Sequence, residues 1–159
     1  MIIMAFDQST KLTGYSVWKD KKLVAHGVIS SDINENDYIK RIKKTSELVE
    51  QLINKYKPDY TVIEGVQYQK NLNTYHQLSC NQGSIMKILF DKKIEFDIVP
   101  VNTWRSFNKI KGNEKREKQK EAAIALVNEL YKIEATDDEC EAILIGRYIT
   151  EKIIKEKLI

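Results

Sequence analysis

Apolar and polar positions alternate along the chain with periods that mark out its elements. Ile2–Phe6 is an unbroken apolar run, the pattern of a strand covered on both faces. A polar turn, Gln8–Thr13, leads to a second strand over Gly14–Lys19, and the tight turn Asp20–Lys22 leads to a third over Leu23–Ile29. Connections this short predict an antiparallel meander. Asp37–Lys57 then changes period: Ile39, Ile42, Val49, Ile53 and Tyr56 recur at helical spacing, and Pro58 stops the pattern. Tyr60–Glu64 is a fourth strand ended by Gly65, and Gln67–Asn73 is a polar loop. Thr74–Lys92 is a second helix with Tyr75, Leu78, Ile85 and Leu89 inward, and Phe96–Val101 is a fifth strand. Beyond it come one helical turn at Thr103–Phe107, a helix over Glu117–Tyr131, and a last helix that opens on a capping box, Thr136 with Glu139, and runs apolar through Ile143, Ile149 and Ile153.

The order is therefore βββαβαβ followed by helices. A strand–helix–strand crossover makes the fourth and fifth strands parallel. Placing the first strand beside the fourth gives an α/β fold, a mixed five-stranded sheet (three antiparallel strands, then parallel ones) flanked by helices. This resembles the ribonuclease H-like architecture, and the spatial strand order is what that resemblance implies. With 159 residues and no internal repeat, the chain reads as one domain, 1–159, large enough to fold without disulfide or metal.

Composition narrows the class. Apolar residues at 42% and charged residues at 31% describe a globular chain, and no apolar run approaches the length of a membrane span. MIIMAF is too short for a secretory core and Asp7 follows at once. Cys80 and Cys140 have no metal or redox spacing, so we expect free thiols, the cytoplasm and no membrane partner. Net charge is only +3, but basic residues cluster at Lys40, Arg41, Lys43 and Lys44, and again from Lys109 to Lys120. Such runs attract polyanions, and they are equally the solvated faces of ordinary helices.

Four acids sit where such a sheet would gather them. Asp7 ends the first strand and Glu64 the fourth; if these are parallel neighbours, both reach the edge where open α/β sheets bind ligands. Asp138 and Glu141, three apart at the start of the last helix, share one helical face, and Asp137 is an alternative to either. Taken singly, each has an ordinary reading, as a helix-dipole partner or a turn former. Glu64 is the exception, directly after the apolar Val62–Ile63. Gathered, they need a partner, because two like charges about 4 Å apart repel by about 4 kcal/mol at an effective dielectric near 20. An all-oxygen donor set suits Mg²⁺, with Mn²⁺ as its substitute, one or two ions per site, and it disfavours zinc. Such a cluster beside a basic groove suits hydrolysis of a nucleic-acid phosphodiester.

AFDQSTKLTGYSVW, VIEGVQYQKN and DDECEAILIG, in that order, resemble three motifs of the RuvC-type Holliday junction resolvases, and the likeness covers nearly the whole chain. The resemblance implies a homodimeric endodeoxyribonuclease that nicks four-way junctions symmetrically, leaving 5′-phosphate and 3′-hydroxyl ends, with Asp7, Glu64, Asp138 and Glu141 as catalytic, metal-holding acids. It places Tyr68 and Lys70 in a loop facing branched DNA, Tyr68 stacking on bases or else packing in the core. It puts Lys115, Lys118 and Lys120 near a phosphate-contacting region. Trp104 and Phe107 read as core. The helix Thr74–Lys92, with Met86 and Phe90, is a candidate dimer face. Two positions depart from the family: Gln8-Ser9 where Pro-Gly is usual, and Glu141 where aspartate is usual. With the short chain, these departures resemble the phage-borne branch, which would place the protein in a host's cytoplasm.

Three other readings stay open from sequence. An actin-like nucleotide-binding protein also begins with a strand, an acid and a polar turn, but needs Gly-rich turns and a second domain. A non-catalytic junction-binding module would not need the full acid set. A different nuclease on the same fold would cut forks, flaps or RNA–DNA hybrids, and fold alone does not separate it.

Overall fold

The computed structural model describes residues 1–32 and 34–157. Its elements are β1 (Ile2–Asp7), β2 (Leu12–Lys19), β3 (Lys22–Ser30), α1 (Tyr38–Tyr56), β4 (Tyr60–Glu64), α2 (Leu72–Asp91), β5 (Glu95–Val99), α3 (Val101–Phe107), α4 (Arg116–Tyr131) and α5 (Asp137–Lys157). The sheet runs β3-β2-β1-β4-β5. β1 pairs antiparallel with β2 and parallel with β4, and β4 pairs parallel with β5. The expected mixed five-stranded sheet is thus present. The β2–β3 turn places both Asp20 and Lys21 at positive φ, the conformation that matches the twist of a two-residue hairpin.

Alternation along β1 divides two cores. Ile3 and Ala5 pack with Val62 of β4, Trp104 of α3, Val127 of α4 and Ile143 of α5. Met4 and Phe6 face the other way, onto Val49 and Ile53 of α1 and Ile85 and Leu89 of α2. By the same period of two, Asp7 and Glu64 project on the side covered by α5.

Boundaries move where caps and prolines act. α2 starts two residues before the predicted Thr74, because Asn71 caps it and accepts a bond from the Thr74 N–H at 3.1 Å. The fifth strand stops at Val99 and not at Val101. Pro100 has no N–H to continue the ladder, and its fixed φ starts α3. The predicted capping box of α5 forms: the Glu139 side chain accepts from the Thr136 N–H at 3.0 Å, and the Thr136 hydroxyl accepts from the Glu139 N–H at 3.3 Å.

The apolar stripe expected of α1 is rotated. Its buried positions are Arg41, Thr45, Val49 and Ile53, which leaves Ile39 63% exposed. Arg41 is buried because its guanidinium donates to the carbonyls of Thr10 and Glu35 and to the Gln77 side chain. It is therefore a structural tie from α1 to the loop after β1, not part of a free basic face. In α2, Tyr75 lies on the surface, whereas Ile85 and Leu89 are buried as expected. Among the described residues no helix is long and apolar enough to cross a membrane.

Candidate active site

Asp7 and Glu64 leave neighbouring parallel strands at one sheet edge, since the β1–β4 register runs from Ile3↔Tyr60 to Phe6↔Ile63 and both acids follow. α5 crosses β2 over Gly14, which pairs with Asp7. A Cβ at Gly14 would stand 2.0 Å from the backbone carbonyl oxygen of Asp138. Gly14 has no positive φ, so its role is this close approach and not backbone freedom. Further along, the Ser16 hydroxyl donates to the Ala142 carbonyl at 2.7 Å and accepts from the Trp18 indole N–H. The first turn of α5 is thereby seated against the β1 edge.

The result is a cavity of about 150 Å³ whose walls include Asp7, Glu64, Asp138 and Glu141. The four sequence-predicted acids converge there. Asp137 does not line it, being ion-paired with Lys120, which holds its carboxyl below the usual range. Asp7 is buried, and its carboxyl is pushed well above the ordinary value by burial first, then by the charge and hydrogen bond of Glu64, then by Glu141 and Asp138. Asp138 is raised by burial and by its neighbour Asp137. Negative charge thus bears on Asp7 from two other elements, β4 and α5.

Two protein donors answer the glutamates. The Trp104 indole N–H donates to Glu64 Oε1 at 3.1 Å, and Arg105 Nη2 pairs with Glu141 Oε1 at 3.0 Å. Arg105 also donates to Gln119 at 2.8 Å. Among the described residues no three Asp, Glu, His or Cys side chains stand close enough to hold an ion as placed. The donor set itself fits a hard divalent cation: all four groups offer oxygen and crowd one cavity, and Asp7 carries the electrostatic penalty that a cation would relieve.

A larger groove of about 680 Å³ continues from the cavity, sharing Ser9, Gln67, Gln69, Leu78 and Arg116 with it. Lys70 and Tyr75 line this groove. Tyr68 is 65% exposed and stands edge-on to Tyr75 with ring centroids 5.6 Å apart, so it does not pack in the core. Lys115 and Lys118 are exposed at the start of α4. Lys120 differs from them: it is only partly exposed and its ammonium is held by Asp137. A phosphate there would have to compete with a carboxylate.

The sequence reading missed Arg105, took Arg116 only as one member of the basic run Lys109–Lys120, and assigned Trp104 to core alone. Trp104 is indeed fully buried, yet its N–H reaches the site. The available signal was position. α3 follows β5 at the same sheet edge where β1 and β4 end, so its polar atoms are delivered to the acids. The departure at Gln8 is also accommodated. Its amide is buried, donating to Gln82 at 3.1 Å and accepting from Asn81 at 3.0 Å, which ties the β1 edge to α2.

This sheet order, with carboxylates from β1, β4 and α5 in one cavity, defines an α/β protein of the ribonuclease H-like nuclease class. The solved T. thermophilus RuvC in complex with a Holliday junction substrate superposes with a TM-score of 0.76 over 97% of this chain and 96% of that one, at 11% identity. The yeast mitochondrial Holliday junction resolvase gives 0.61 over 97% and 82%, at 14% identity. Both establish the fold. The family model described as crossover junction endodeoxyribonuclease RuvC matches residues 3–145, and the chain belongs to that family. The RuvC of Petrotoga mobilis is 28% identical over 151 residues, 90% of this chain and 89% of its own length. The match to the RuvC of Wigglesworthia glossinidia brevipalpis is 35% identical but local, spanning 44% of this chain and 45% of the relative.

Proposed function

We propose that the protein is a structure-selective endodeoxyribonuclease that resolves four-way DNA junctions by paired symmetric nicks. The observation that carries this reading is the convergence of Asp7, Glu64, Asp138 and Glu141 from β1, β4 and α5 on one cavity, beside a groove that can admit a strand. Family membership supplies the reaction class.

Mg²⁺, or Mn²⁺ in its place, would be held by those four carboxylates and would supply a water activated for attack on the phosphodiester and charge for the leaving oxygen. The chain's own residues do the rest. Arg116, at the junction of cavity and groove, supplies positive charge for the phosphate backbone. Lys70, Lys115 and Lys118 extend that charge along the surface, a term that gives affinity with little sequence preference. Tyr68 offers an exposed aromatic face to unstacked bases at the branch point.

Two symmetric nicks need two sites in matching orientation, and one chain carries one. A C₂ dimer provides the second. The outer face of α2 supports this reading. Leu72 and Phe90 lie five helical turns apart on it and are 68% and 61% exposed, and a Cβ at Gly83 between them would meet nothing within 4 Å.

The test is incubation of purified protein with an end-labelled synthetic four-way junction, a fork and an RNA–DNA hybrid, each with and without Mg²⁺. The expected result is Mg²⁺-dependent paired nicks in opposed strands of the junction, leaving 5′-phosphate and 3′-hydroxyl ends. Preferential cutting of the hybrid or fork, or nicks unpaired by symmetry, would overturn the junction assignment.

A further inference from the structure

We propose that Trp104 is a positioning residue for the reaction: its indole N–H holds one oxygen of Glu64 and so turns the other oxygen toward the cavity. The inference rests on the reading that the four acids hold a divalent cation.

Burial alone does not account for a tryptophan here. Trp104 packs among Ile3, Val62, Val101 and Ile143, where a phenylalanine would supply similar apolar surface. A buried indole N–H requires an acceptor, and the one it has is Glu64 Oε1 at 3.1 Å. Glu64 ends β4 at the cavity wall, and without the indole its flexible side chain would be left with its contact to the Asp7 carboxyl. The next residue, Arg105, holds Glu141 of α5. Consecutive residues of one short helix therefore grip glutamates delivered by two different elements.

The two grips differ chemically. The guanidinium of Arg105 brings a positive charge, so it competes with any cation for Glu141. The indole of Trp104 is a neutral donor with no acceptor capacity. It fixes a direction without cancelling the carboxylate's charge and without delivering a proton to the cluster. Glu64, which also shares a hydrogen bond with the Asp7 carboxyl, keeps its charge within a restricted set of rotamers. Outer partners of this kind orient metal-binding carboxylates, and their loss typically costs about 10–100-fold in ion affinity or activity.

The experiment compares wild type, Trp104→Phe, Glu64→Gln and the double variant, all freed of metal by chelation and titrated with Mg²⁺. Calorimetry reads ion affinity, and ¹⁵N NMR reads the indole N–H signals, of which the chain has two. Mg²⁺ is expected to shift the Trp104 signal and leave that of Trp18, bonded to the Ser16 hydroxyl, in place. Trp104→Phe is expected to weaken Mg²⁺ binding by about 10–100-fold. It should leave metal-free junction binding unchanged and add nothing further in the Glu64→Gln background. A purely structural role would lower thermal stability without moving ion affinity, and that result overturns the inference. So does an unmoved Trp104 signal in the wild type, which needs no variant to fold. If the wild type takes up no Mg²⁺ at all, the cation reading falls and this inference falls with it; if it binds Mg²⁺ and Trp104→Phe binds it equally well, only the inference falls.

Discussion

Replacing Gly14 by alanine tests whether the start of α5 is positioned by contact with β2. The new Cβ would lie 2.0 Å from the Asp138 carbonyl oxygen and 2.6 Å from its carbonyl carbon. Close carbon–oxygen contacts run to about 3.3–3.6 Å, so the first turn of α5 must retreat by roughly 1.3 Å. The obstructing atoms are backbone, so no side-chain rotation relieves the clash. Overpacking of this kind costs about 1–3 kcal/mol, which for a chain of this length lowers Tm by about 2–12 °C. The same displacement carries Asp138 away from Asp7, and a misplacement of about 1 Å can cost about 100-fold in rate, or roughly 2.7 kcal/mol of barrier.

The assay is single-turnover nicking of a labelled junction by Gly14→Ala at saturating protein and well below its Tm. Gly27→Ala is the control. Its Cβ would meet the Tyr15 ring at 2.8 Å, a side-chain contact on the edge strand β3 that can turn aside. The expected outcome is a rate loss near 100-fold for Gly14→Ala and little for Gly27→Ala. Wild-type nicking by Gly14→Ala, or equal loss in both, would refute the claim that α5 is indexed to the acids through this contact.

Three further outcomes follow from charge. Asp7 has its proton held more tightly in the folded than in the unfolded chain, so its contribution to stability is complete below the unfolded pKa and is lost as pH rises through the folded one. Across that window the metal-free protein should lose about 1.4 kcal/mol per pH unit from this group. Asp7→Asn should therefore raise the metal-free Tm at pH 8, leave it nearly unchanged at pH 4, and abolish nicking while sparing junction binding; calorimetric Tm at the two pH values checks the first claim. Lys118→Gln should weaken junction binding and reduce the slope of log affinity against log salt by about one, because an exposed lysine that neutralises a phosphate releases a condensed cation from the DNA into solution. Lys120→Gln should leave that slope nearly unchanged and instead free Asp137, a contrast that binding titrations at several salt concentrations read directly.

How far the site could be read from sequence follows from how locally each part is determined. The strands declared themselves through period and turn chemistry, and the capping box of α5 through two residues three apart. The acids were legible because Glu64 contradicts its own surroundings. A carboxylate ending an apolar strand is a local conflict, and such conflicts gather at functional sites. Arg41 and Trp104 were misjudged for the opposite reason. Each looked ordinary in its own segment, a member of a basic run and a core aromatic, and each is defined by an atom at its tip that meets a distant element: Arg41 with Thr10 at 31 residues' separation, Trp104 with Glu64 at 40. Hydrophobic period records which side of a helix is buried, but not where a long side chain's polar end finds its partner.

The departures from the family's usual residues are where this matters most. Gln8, in place of the usual proline, has buried amide groups that must be satisfied, and Asn81 and Gln82 of α2 satisfy them. Gln82 in turn accepts from the Val66 N–H at 3.3 Å, at the root of the loop that carries Tyr68. Glu141, one methylene longer than the usual aspartate, reaches Arg105. Neither change is therefore a substitution at one position. Gln8 depends on α2 and Glu141 on α3, and both partners were invisible in the motifs themselves. Changing Gln8 to proline alone would leave the buried Asn81 amide with only its longer contact to the Ser9 carbonyl at 3.4 Å, and an under-satisfied buried polar group costs about 1–3 kcal/mol. The family's residue should therefore destabilise this chain at a site where it is the norm elsewhere.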